Sequence, residues 1–168
     1  NLKQKKIQIK KINFIGAYDP LRCKILKDLP SNSINIYGNT WKRFGFKKIK
    51  NQKIFSHILG KKLSKIIQRS EISINILRTQ DLGSHNMKTF EIPAMGGLLL
   101  TTRSKEQNLF FPENKACYMY KNSKELKNKI KFIHENPKKV LKIRANAIKL
   151  AKKHSYTNRA KYLLNIIR

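Results

Sequence analysis

Acidic side chains are scarce in this chain: 9 Asp and Glu stand against 38 Lys and Arg, for a formal net charge of +29. Such a surface attracts RNA, DNA or an anionic membrane. The lysines, however, are spread over nearly every segment beside abundant Ile and Asn. All three residues come from A/T-rich codons, so genome bias accounts for much of the excess. Charge alone selects no partner. Cysteine is nearly absent too. Cys23 and Cys117 are far apart and lie in apolar contexts, which excludes a disulfide framework and suits a reducing compartment. No apolar run approaches the roughly 18 residues of a membrane span. The opening "NLKQKKIQIKKINF" has no apolar core of the kind a signal peptide needs. A cytoplasmic chain is expected, with peripheral contact at the inner face of an anionic membrane left open. The chain opens on Asn1 rather than Met, which fits a piece of a longer protein.

Nucleotide and metal motifs are also missing. No G-x-x-x-x-G-K-[ST] loop occurs, nor a G-x-G-x-x-G fingerprint; "GKKLS" at Gly60 lacks the upstream glycine. Histidines 57, 85, 134 and 154 show no metal-ligand spacing, and no metal site is expected. The few aromatic residues are scattered rather than set out as a stacking platform, which weighs against RNA or DNA.

What is present is an alternation of strands and helices. "KINFIGAY" (11–18) reads as a strand ending at Gly16, followed by Asp19 as N-cap and Pro20 as first helical residue. Residues 34–37, 54–58, 72–77, 98–101 and 116–120 read as further strands. Helices are expected after Gly60, with Leu63, Ile66 and Ile67 at helical spacing, and after Asn122, where Glu125 completes a capping box. Another starts at Pro137, with Leu141, Ala145, Ile148 and Ala151 on one face. A terminal helix over 155–168 carries Tyr162, Leu163, Ile166 and Ile167. The pattern predicts one α/β domain over residues 1–168, a Rossmann-like three-layer sandwich with a mostly parallel sheet, preceded by a basic lead-in at 1–10. Ligands of such folds bind at the carboxyl ends of strands. Two loops are expected there, 16–22 and 82–91.

The second loop leads into "HNMKTFEIPAMGGLLLTT" (85–102). A helix starting between Lys88 and Ile92 would point free N–H groups at the loop holding Ser84, His85 and Asn86, a natural site for phosphate. Pro93 would fit its first turn, Lys88 would add a positive charge, and Gly96 and Gly97 would end it tightly. Glu91 would repel phosphate, so two readings remain: it caps its own helix, or it accepts the hydroxyls of a ribose. His85 and Arg22 read by default as solvated side chains, with a place beside a bound anion as the alternative.

"FIGAYDPLR", "INIYGNTW", "SEISINIL", "HNMKTFEIPAMGGLLLTT", "FFPENKACYMYKNSKELKNKIKFI" and "KKHSYTNR" follow one another in an order that resembles the C-terminal half of CgeB-like (spore maturation protein-like, group 1) glycosyltransferases of the GT-B fold. The similarity runs from Ile12 to Arg168. Its most specific part is the Phe-Glu-Ile-Pro-Ala-x-Gly-Gly core, reinforced by His154, Tyr156 and Arg159. The resemblance implies a domain that binds a nucleoside diphosphate sugar. Glu91 would hold the ribose; Arg22, Lys88 and the backbone from Asn86 to Thr89 would face the diphosphate. His57 and Ile58 would border the base, His85 would lie near the donor sugar, and Gly16 would sit at the first strand's end. No metal or other cofactor is implied. A glycan or cell-surface acceptor would be bound by an N-terminal domain absent from this chain, which alone would not turn over.

Two departures stand out. Lys88 replaces the family's usual Arg, keeping charge but losing the bidentate fork. Gly83 stands where related retaining enzymes carry a second glutamate. A basic polyanion- or RNA-binding module and a non-catalytic scaffold of the same fold are the alternatives.

Overall fold

The structure, a computed structural model, describes residues 12–31, 33–45, 49 and 52–167; the basic lead-in lies outside them. Strand β1 (Ile12–Ile15) is followed by helix α1 (Pro20–Lys27) and β2 (Ile34–Tyr37). A π-helical turn at Trp41–Gly45 precedes β3 (Lys53–Phe55), α2 (Gly60–Arg69) and β4 (Ile72–Asn75). Then come α3 (Met87–Ala94), β5 (Leu99–Thr102), α4 (Lys105–Phe110) and β6 (Tyr118–Tyr120). The helices α5 (Ser123–Glu135), α6 (Pro137–Lys153) and α7 (Tyr156–Ile167) complete the chain.

The strands form one sheet in the order β3-β2-β1-β4-β5-β6, and every pairing is parallel. Ile12 sits opposite both Ile34 and Ile72. All loops leaving the strands therefore emerge at one edge, with a change of winding direction between β1 and β4. The sheet is covered on both faces. Phe14, Ile36, Ile74 and Leu100 pack with Cys23 and Leu26 of α1 and Leu126 and Ile133 of α5. On the other face Leu99 and Met119 pack with Leu63 and Ile67 of α2, Ile92 of α3, and Ala147 and Ala151 of α6. Each fully buried Ile or Leu contributes about 1.5–3 kcal/mol. Double coverage also explains β4, whose alternating Ser73 and Asn75 are as buried as its isoleucines.

Local chemistry sets the ends of elements. Asp19 caps α1 by accepting from the N–H groups of Leu21 (3.0 Å) and Arg22 (3.3 Å), as the sequence suggests. Gly38 must lack a side chain, because a Cβ there would lie 2.1 Å from the Gly16 carbonyl oxygen. Ser104 caps α4 through the Gln107 N–H, a short helix the pattern does not disclose.

Two expectations change. The capping box of α5 is half made: Asn122 accepts from the Glu125 N–H (2.9 Å), but the Glu125 carboxylate turns to the Lys121 N–H and Arg103. Helix α6 buries Val140, Ile143, Ala147 and Ala151, leaving Leu141 66% exposed. Its rotation is set by contact with α3 and by Arg144, which donates to the Gly96 carbonyl at 2.8 Å. Helix α7 forms, yet buries none of its residues. Among the described residues, no helix is long and apolar enough to cross a membrane.

Candidate functional site

The chain leaves β4 at the loop-bearing edge and enters α3 through Ser84, His85 and Asn86. Glu106 of α4 pins this loop, its Oε2 accepting from Ser84 Oγ at 2.8 Å and lying 2.7 Å from His85 Nδ1. These bonds, His85 first and Ser84 second, hold the Glu106 carboxyl below the ordinary range. Ser104 Oγ donates to the Ser84 carbonyl at 2.6 Å.

A buried polar chain fixes the start of α3. Asn86 and Asn75 exchange side-chain amide hydrogen bonds of 3.1 Å. The Asn86 N–H donates to Thr89 Oγ1 at 3.3 Å, and the buried Thr89 hydroxyl donates onward to Gln107 Oε1 at 2.7 Å. Gln107, fully buried, donates in turn to Thr101 Oγ1 (2.6 Å) and the Thr102 carbonyl (2.8 Å). These side chains face inward, and the N–H groups of Met87 and Lys88 lie outside the helical ladder. With the helix dipole, they form a positively polarised end suited to an anion.

Helix α3 starts earlier than the sequence suggests, at Met87, so Pro93 falls in its last turn rather than its first. The helix closes as expected: Gly96, at φ +78, and Gly97 donate to the carbonyls of Pro93 and Ile92 at 2.9 Å each. This is the Schellman arrangement. Gly97 tolerates no side chain, since a Cβ would lie 2.5 Å from Ile67.

A cleft of about 210 Å³ opens beside this helix, lined by His85, Asn86, Met87, Phe90 and Glu91, with His154, Tyr156 and Arg159 closing it. Glu91 does not cap its own helix. Its Oε2 lies 2.6 Å from Lys88 Nζ, the carboxylate's one polar partner among the described residues. Phe90 sits at the centre of an aromatic cluster with Phe110, Phe111, His85 and His154, ring centroids 5.1–5.7 Å from its own. Burial, reinforced by Arg159 and Lys153, lowers the His154 pKa from its ordinary value.

The structure thus gathers His85, Asn86, Lys88, Thr89 and Glu91 at one helix end. Three expected residues lie elsewhere along the same edge. Arg22 is 7% exposed in the crevice between β1 and β4, and donates from Nε to the Ile76 carbonyl (2.9 Å) and from Nη1 to Ala17 (3.3 Å). Burial, then the nearby Arg78, lowers its pKa. Gly16 directly follows β1, its carbonyl accepting from Trp41 Nε1 at 2.7 Å. His57, exposed, and Ile58, half-buried, follow β3 at the sheet's margin, three strand spacings or about 14 Å from β4. Gly83 has φ +93, so a glutamate there would be strained. Asn75, Glu106 and Gln107 support the site without a local motif to reveal them; the Ser104 cap before Gln107 was the available signal. A larger groove, about 590 Å³ beside Leu29 and His134, lies at the opposite edge of the sheet and holds none of these residues. Among the described residues, no cluster of three or more His, Cys, Asp or Glu could hold a metal.

An all-parallel six-stranded sheet covered by helices on both faces is a Rossmann-like fold of the kind found in GT-B glycosyltransferase domains. The sequence profile of the glycosyl transferase-like family matches residues 21–165, and the chain belongs to that family. A glycosyltransferase from Rickettsia africae shares the fold at TM-score 0.71 and 15% identity, over 95% of this chain and 47% of its own. Anabaena HepE, solved with UDP-glucose, matches at TM-score 0.68 and 12% identity, over 86% and 44%. The catalytic domain of the Helicobacter pylori cholesterol-α-glucosyltransferase matches at 0.64 and 17%, over 86% and 98%. The chain spans less than half the length of the HepE and Rickettsia chains. No curated protein matches the sequence significantly.

Proposed function

We propose that this chain is the donor-binding domain of a glycosyltransferase that moves a sugar from a nucleoside diphosphate sugar to a glycan or cell-surface acceptor. The observation that carries this reading is the juxtaposition, on one turn of α3, of unladdered N–H groups and the Glu91 carboxylate beside the cleft. The amides would grip the diphosphate while Glu91 accepts the ribose hydroxyls. In the reaction the bond from the anomeric carbon to the diphosphate oxygen breaks, its electron pair leaving with the diphosphate. The acceptor oxygen bonds to that carbon and gives up its proton. Oriented amides and cations would stabilise the departing charge without a metal, as preorganised dipoles do. A second domain would bind the acceptor, and this domain alone would not turn over. The bound UDP-glucose of HepE supports the nucleoside diphosphate assignment.

Isothermal titration with UDP-, GDP- and TDP-sugars tests the reading. Binding to one of them, weakened in Glu91→Ala, is expected. No binding to any, with Glu91→Ala indistinguishable, overturns it.

A further inference from the structure

Each of the two cations expected to face the diphosphate already has a partner within the protein. Lys88 is held by Glu91, and Arg22 is buried against carbonyl oxygens. A third cation reaches the cleft from the far end of the chain. Arg159, in the first turns of α7, lays its guanidinium over the Phe90 ring at 4.5 Å from the centroid. Its side chain makes no hydrogen bond or ion pair among the described residues, so its five N–H donors are unused. Its position is set by local structure. Asn158 Nδ2 donates to the Lys152 carbonyl at 2.9 Å, fixing α7 against the last turn of α6, and the Arg159 N–H closes onto Ser155 at 3.0 Å. Phe90 is itself held among Phe110, Phe111 and His154.

A guanidinium stacked on an aromatic face keeps its edge free, the geometry that takes phosphate oxygens two at a time. Phe90, Glu91 and Arg159 line the same cleft, so the cation and the carboxylate face one ligand space. We propose that Arg159 binds the phosphates of the donor, making α7 part of the nucleotide site rather than an appendage. This inference rests on the donor-binding reading and names a residue of the same cleft. It also gives the exposed α7 a task that requires no burial of the helix.

The test is titration of the wild-type chain, Arg159→Gln and Arg159→Lys with UDP, GDP and TDP, and with uridine, guanosine and thymidine. Both variants should melt as the wild type does, because α7 buries no side chain. Arg159→Gln is expected to weaken the preferred nucleoside diphosphate about 10- to 100-fold while leaving the matching nucleoside unchanged. Arg159→Lys should recover part of the loss. If the wild type binds a diphosphate and Arg159→Gln binds it equally well, the Arg159 assignment falls and the donor-binding reading stands. Equal losses for diphosphate and nucleoside also overturn the assignment, since the residue would then shape the cleft and not touch phosphate. If the wild type binds no diphosphate at all, both fall.

Discussion

Lys88 and Glu91 hold each other across one turn of α3, ammonium nitrogen to carboxylate oxygen at 2.6 Å. The pair is partly exposed, with 23% and 27% of the two side chains accessible. An ion pair in such a setting is worth roughly 0–1 kcal/mol. Its partners can therefore be exchanged for a ligand at little cost: the carboxylate for ribose hydroxyls, the ammonium for a phosphate. In the proposed site the pair would also keep the carboxylate from repelling an incoming diphosphate, because its charge is balanced until the ribose arrives.

Glu91→Ala is expected to weaken nucleoside diphosphate binding about 10- to 100-fold. Its melting temperature should barely move, since only a weak surface pair is lost. In a double-mutant cycle with Lys88→Ala, the binding losses should be non-additive because the two side chains touch. Calorimetric titration of the four proteins measures this.

Gln107→Ala removes the side chain that joins Thr89, Thr101 and the Thr102 carbonyl. Buried hydroxyls left without a partner cost about 1–3 kcal/mol. Urea unfolding should show a loss of at least that size, with a weaker nucleotide site as α3 loosens. A variant as stable as the wild type would contradict the role assigned to the network.

Acid should weaken the far end of the sheet through Glu113. Burial pushes its pKa up, but hydrogen bonds from Arg103 and Lys129 outweigh that and hold it below the ordinary 4.5. A carboxyl with a depressed folded pKa contributes stability that is present above the unfolded pKa. That stability is lost as pH falls below about 4.5 and through the folded pKa. Glu113→Gln should be less stable than the wild type at pH 7, with the gap narrowing in acid. Denaturant unfolding across pH 3–7 follows the difference.

His154 reports on its neighbour. Burial, Arg159 and Lys153 together lower its pKa from 6.5. Arg159→Gln removes one repelling charge, so the His154 pKa should rise toward its ordinary value. Proton NMR of the imidazole across pH 4–8 gives the shift, and a fall in pKa would place Arg159 elsewhere.

Much of this architecture was legible in the sequence because it rests on local rules. Asp19-Pro20 announces a helix start and Gly96-Gly97 a helix end; both appear with the expected hydrogen bonds. Short apolar runs mark the six strands, all parallel as an alternating pattern implies. What was not legible depends on partners distant in sequence. The face of α6 is chosen by α3 and by Arg144 reaching Gly96, so the pattern through Leu141 misled by one residue. Pro93 reads as a first-turn residue only while the helix start is unknown; Asn86, paired with Asn75 across the sheet edge, moves that start upstream. The helix end that gathers Asn86, Lys88, Thr89 and Glu91 could be read from contiguous residues. The commitment of Arg22 to strand carbonyls and the arrival of Arg159 over Phe90 could not, because each joins segments more than 50 residues apart.

The most direct test is titration of the isotopically labelled chain with UDP, GDP and TDP, followed by amide NMR. The account predicts that the preferred diphosphate moves the Met87, Lys88 and Thr89 amide resonances and the Glu91 carboxylate, with nearby changes at Phe90. Binding that leaves those resonances in place, or that perturbs only the groove near Leu29 and His134, would contradict it.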